Sequence, residues 1–297
     1  MTLEQLTDKV ISLLAGFTRD QDEQTWLSSG VSESATTMTV EDPKLISRGL
    51  VEIGDELIWV ARVDNNTGAV TIAPNGRGYH STTPAAHEEN AFVRNNPRYP
   101  RAEVKSAIND AVEGVYPDLW ASGVTEFPAV AARLTYELPA DVDHVRRVSW
   151  ESIGPSRSWL PINRWRFDPD ANPGRFPTGK SLTIMAEPIA GRTIRVNYAK
   201  VPSRFADDST DFASATGLPS SAENCVVYGA CFTLCGLVEN PRLQLQNIES
   251  QMRSQLVQPG SSQGAARHFM QLYQLALQSE REKLLKADPT QAHFRYI

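Results

Sequence analysis

Apolar residues along this chain change their spacing four times, from helical to alternating and back, and that succession limits the fold more than any single motif does. Thr2 is placed as an N-cap with Glu4 and Gln5 behind it, and Leu6, Val10, Ile11, Leu13, Leu14 and Phe17 then recur at helical spacing. That helix is expected to end near Thr18. From about Thr25 to Val93 the segments ATTMTVED, GLVEIGDELIWVARVD, GAVTIAPN and NAFVRN alternate or are β-branched, which predicts strands. Gly54-Asp55 and Asn65, Asn66 and Gly68 mark hairpin turns between them. Several short strands in so short a stretch predict a small closed or sandwich-like β unit.

Helical spacing returns after Pro100 with Val104, Ile108, Ala111, Val112 and Val115, until Pro117 ends or bends the helix. A second strand-rich stretch, from about Arg133 to Tyr198, contains LTYELP, VDHVRRVSW, SLTIMAEP and TIRVNYAK. Beyond Pro219, with Ser220 or Ser221 as N-cap, three helical runs follow, one starting at Pro241 and the last after the Pro259-Gly260 break. In the last run Phe269, Leu272, Tyr273, Ala276 and Leu284 form one apolar stripe. An amphipathic helix must bury its stripe, and single helices flank each β unit, so the expected fold is α+β: a discontinuous helical bundle carrying two β insertions. Its segments are 1–20, 96–125 and 219–288, with β insertions at 25–95 and 130–202 and an extended tail at 289–297.

GRFPTGKS, Gly174 to Ser181, satisfies the phosphate-binding pattern G-x-x-x-x-G-K-[ST]. A working loop of that kind leaves a buried strand and opens a helix, whose free N–H groups and dipole hold the phosphates. Here RWRFDPDANP precedes it and reads as a turn-rich loop, while SLTIMAEP comes after it and reads as a short strand stopped by Pro188. The pattern is therefore expected to be a hairpin turn, with a nucleotide hydrolase using Lys180 and Ser181 as the alternative. A hydrolase built on Asp168, Asp170 and Glu187 is a further alternative, although acids among prolines and charged residues are ordinarily solvated.

A net charge of −6 argues against chain-wide affinity for nucleic acid, and no apolar run is long enough to span a bilayer. Cys225, Cys231 and Cys235 lie in one apolar helical run without a nearby histidine, so they are expected to be reduced, buried packing residues. The five histidines, at 80, 87, 144, 268 and 293, form no metal-binding spacing. No cofactor, metal or catalytic residue is expected, and the chain is expected to start life in a cytoplasm.

Three pieces, Thr36 to Asp42, Gly54 to Val60 and Arg77 to His87, resemble a β module common in tailed-phage structural proteins, with Ser81-Thr82 where that module has Gly-Thr. Further on, YELPADVDHVRRVSW, TIRVNYAKVP and LPSSAENCVVYGACFTLCG resemble the second half of phage head-to-tail adaptor proteins. The resemblance implies a non-enzymatic virion part assembled in the host cytoplasm, a ring of about twelve copies. Its partners would be further copies of itself, the portal protein and tail-side stopper or tail proteins, with genomic DNA passing the channel without specific binding. The alternative within phage biology is a tail-associated virion protein. The resemblance also implies portal contact through the C-terminal segment. The residues there, His293, Phe294, Arg295, Tyr296 and Ile297, are of the types that anchor interfaces.

Overall fold

The computed structural model describes residues 1–16, 23–152, 158–186, 189–244 and 261–290, and among them the chain is mixed α and β. Thirteen strands are present: β1 Glu23–Trp26, β2 Thr37–Thr39, β3 Gly49–Ile53, β4 Glu56–Val63, β5 Ala69–Ile72, β6 Phe92–Asn95, β7 Ala121–Pro128, β8 Thr135–Glu137, β9 His144–Glu151, β10 Trp159–Pro161, β11 Trp165–Asp168, β12 Ser181–Ile184 and β13 Thr193–Lys200. Among the described residues five α-helices accompany them: α1 Leu3–Ala15, α2 Arg101–Gly114, α3 Phe212–Thr216, α4 Glu223–Gln244 and α5 Ser261–Ala287.

The chain divides into two compact units, one made of Glu4–Asn109 with Val227–Met270 and the other of Met1–Leu3, Asp110–Val226 and Gln271–Ile297. In the first, six antiparallel strands run in the order β1-β6-β3-β4-β5-β2. The two outer strands meet through the Leu27 and Val40 bridge, with Ser28 N–H donating to Thr39 C=O at 2.9 Å and Glu41 N–H to Trp26 C=O at 3.0 Å. The sheet therefore closes at that bridge into a small barrel, the closed form among the sequence-based expectations. Alternation fills its interior with Leu27, Met38, Val40, Val51, Ile53, Ile58, Val60, Val70, Ile72 and Val93, all buried. On its outside Glu52 accepts from Arg94 and from the Arg101 backbone N–H, so a buried carboxylate caps the first turn of α2 where the helix N-terminus favours negative charge.

In the second unit a four-stranded sheet, order β10-β9-β13-β7, and a three-stranded sheet, order β11-β12-β8, share one core. Tyr136, Leu138, Val148, Trp165, Leu182, Ile184, Ile194 and Val196 fill it. Two segments differ from the sequence-based expectation. The helical segment expected up to residue 125 ends at Gly114, and Ala121–Pro128 is a strand pairing all eight of its residues with β13. RWRFDPDANP is not all loop, because Trp165–Asp168 pairs with Ser181–Ile184 and buries the Trp165 ring. In both cases a partner strand supplies what the local sequence does not signal.

Pro241, expected to start a helix, lies within α4, and the run that was to continue from it falls from residue 245 onward outside the described residues. Along α5 Ala265 and Phe269 are buried, Leu272, Tyr273, Ala276 and Leu284 are half-buried, and Glu280 is a buried charge within the stripe. Ser221 Oγ and Lys283 Nζ donate to the Glu280 carboxylate. Burial alone pushes that carboxyl up, and these two bonds outweigh it, leaving it below its ordinary value.

Candidate functional site

GRFPTGKS closes the hairpin between β11 and β12, as the sequence predicts, with Asp168 and Ser181 directly paired across its base. Ser181 begins a strand and is buried, Lys180 Nζ donates to the Val142 carbonyl, and Thr178 N–H donates to Glu137 Oε1 at 2.9 Å. The turn is followed by strand β12 and not by a helix, so it does not open the helix N-terminus whose amides hold phosphate in a working loop. Asp168 and Asp170 sit in the same turn, where Asp170 N–H donates to Asp168 Oδ1 at 3.3 Å, and Glu187 lies outside the described residues. The three cysteines are free and buried, as expected. Burial pushes the Cys225 and Cys235 thiols up to about 11 and Cys231 to about 12, which removes their thiolate character near neutral pH. Among the described residues no three His, Cys, Asp or Glu side chains are placed to hold a metal, and no helix is long and apolar enough to cross a membrane.

Two polar constellations stand out. The first is a buried carboxylate in the barrel, Glu56, whose side chain is 1% exposed. Arg77 donates to it through Nε at 2.6 Å and a second guanidinium nitrogen at 2.8 Å, Gly78 N–H at 3.0 Å and Ala85 N–H at 3.1 Å, and His87 Nε2 lies 2.8 Å away. Burial alone would push this carboxyl up. The bonds from His87, Arg77, Ala85 and Gly78 outweigh it and hold the group down at about 2. These residues fall in the pieces Gly54 to Val60 and Arg77 to His87 that resemble the phage module, and in this chain they are a folding device: one carboxylate gathers the loop Arg77 to His87 onto β4.

The second constellation lies on the outer face of the four-stranded sheet. Strand β9 shifts register against β13 between Val145 and Arg147, which leaves Arg146 as an extra residue. Arg146 stacks on Trp120 at 4.2 Å, donates to the Asp288 carbonyl, and reaches the Asp288 carboxylate at 3.4 Å, which ties the end of α5 to the sheet. Arg147, Ser149, Trp159, Pro161, Arg195 and Asn197 then line a groove of about 380 Å³, and Pro289 and Thr290 line it too. Arg195 stacks on Trp159 at 3.8 Å and pairs with Glu126 at 2.6 Å. Sequence reading passed over this face. Its only trace was the doubled arginine in HVRRVSW, which interrupts the alternation.

A larger cleft of about 580 Å³ lies beside the barrel, but its charges neutralise one another: Arg101 reaches Asp8 and Asp55, and Lys105 reaches Asp55 at 2.7 Å. The expected interface residues His293 to Ile297 lie outside the described residues. The family model for SU10 adaptor protein matches residues 85–291, well over half of the chain. The chain belongs to the SU10 adaptor protein family. It is accordingly a phage adaptor-type structural protein and a virion component, and membership points away from enzymatic function. The match takes in the two-sheet unit with its groove, and most of the barrel precedes it. No curated protein matches the chain.

Proposed function

We propose that this SU10 adaptor family member forms the ring that joins portal to tail at the head-to-tail interface. The family match over residues 85–291 carries the reading. The structure is compatible with it in three ways: the phosphate-loop pattern is spent on a hairpin, the thiols are buried, and the buried charges are committed to internal partners. About twelve copies make the ring, and like charge on each subunit discourages DNA from sticking as it passes. His293, Phe294, Arg295, Tyr296 and Ile297 form the portal contact, and the opposite side of the ring meets stopper or tail proteins. Assembly takes place in the host cytoplasm.

Mixing the purified chain with its cognate portal and weighing the product by native mass spectrometry tests this. A portal-bound ring, lost when residues 291–297 are removed, is expected. A chain that stays off the portal, or binds it equally well without those residues, refutes the assignment or its tail contact respectively.

A further inference from the structure

The chain leaving α5 does not depart into open space. Asp288 is clamped by Arg146 through both its carbonyl and its carboxylate, and Pro289 and Thr290 then line the groove on the outer sheet face. The groove offers Pro161 and the Trp159 ring, one face of which Arg195 covers, and polar groups suited to a peptide backbone. Arg147 supplies donors, and Asn197 Oδ1 is a buried acceptor with no hydrogen-bond partner. A buried carbonyl oxygen left without a donor is costly, and an incoming backbone N–H removes that cost. Beyond Thr290 the sequence continues as QAHFRYI. In extended form Phe294 and Tyr296, two residues apart, project to the same side about 7 Å from each other, with Arg295 facing away. Four residues beyond Thr290 the chain has advanced about 13 Å, roughly the width of a sheet of four strands spaced about 4.8 Å apart.

We propose that this groove is the docking site, in the free subunit, for the chain's own residues 291–297, with Phe294 and Tyr296 set against Trp159 and Pro161 and backbone amides satisfying Asn197. Direct continuity selects the occupant: the two residues that precede the segment already line the site. The inference stands apart from the portal reading and adds a step to it. A tail held on its own sheet must leave the groove before it reaches a portal, so portal binding competes with an internal contact and is slower than tail docking alone would be.

The test uses the full chain without portal. With p-benzoylphenylalanine at position 296, illumination is expected to cross-link within one chain to peptides containing Arg147, Trp159 or Pro161, and Trp159→Ala is expected to lower the yield several-fold. Independently, without any substitution, exchange of the Trp159 and Leu160 amides is expected to be about tenfold slower in the full chain than in a chain ending at Thr290. Cross-links that map elsewhere, cross-links only between chains, or equal exchange rates in the two chains overturn the proposal. Because no portal is present, such a failure leaves the head-to-tail assignment to its own experiment.

Discussion

Replacing Glu56 with Gln tests whether the barrel is organised around one charge. The substitution keeps the shape and removes the anion, leaving the Arg77 guanidinium, itself only 11% exposed, without its counter-charge. Taking one partner from a buried ion pair costs about 3–5 kcal/mol. The pH dependence gives a second, independent magnitude. The folded carboxyl is held at about 2 against an ordinary 4.5, so its contribution is fully present above 4.5 and is lost as pH falls through about 2. At about 1.4 kcal/mol per pH unit this amounts to about 3 kcal/mol. Urea denaturation of both proteins across this range, monitored by tryptophan fluorescence, isolates the residue, since every other carboxylate titrates in both. The stability gap between the parent protein and Glu56→Gln is expected to be about 3 kcal/mol or more near neutral pH and to shrink toward zero near pH 2. A gap below about 1 kcal/mol at neutral pH, or one that does not change with pH, refutes the argument.

Ser81 occupies the left-handed region at φ 65°, which favours glycine, so Ser81→Gly is expected to raise stability by about 0.5–1 kcal/mol in the same urea assay. Gly123 lies under the Tyr198 ring, and a Cβ there would come within 2.3 Å of it, so Gly123→Ala is expected to cost about 1–3 kcal/mol and to shift the Tyr198 ring signals in NMR spectra. Cys225, Cys231 and Cys235 are expected to react with a thiol reagent in the native protein at least about a hundredfold more slowly than in urea, and rapid labelling of any one of them would place it at the surface.

Local sequence was enough to locate the strands that announce themselves. GLVEIGDELIWV and TIRVNYAK alternate or are β-branched throughout, and Gly54 at φ 61° and Gly68 at φ 71° sit in turns that favour glycine. It was also enough to read GRFPTGKS as a turn, because a short apolar segment stopped by Pro188 cannot supply a helix N-terminus. The thiols were legible for a similar reason, since they interrupt no apolar helical face. Features left open by the sequence depend on partners far away along the chain. ASGVTEFP carries a glycine, a proline and little apolar content, and it is a strand because Thr193–Lys200 pairs with all of it. The Glu56 cluster joins residues 21 and 31 positions apart, and the Arg146 clamp joins residues 142 apart. A local apolar period reports only which side of an element faces a core. Which strand lies alongside, which charge meets a buried carboxylate, and which side chain a bulge turns outward are settled by packing of the whole chain, and the groove on the sheet belongs to that second kind.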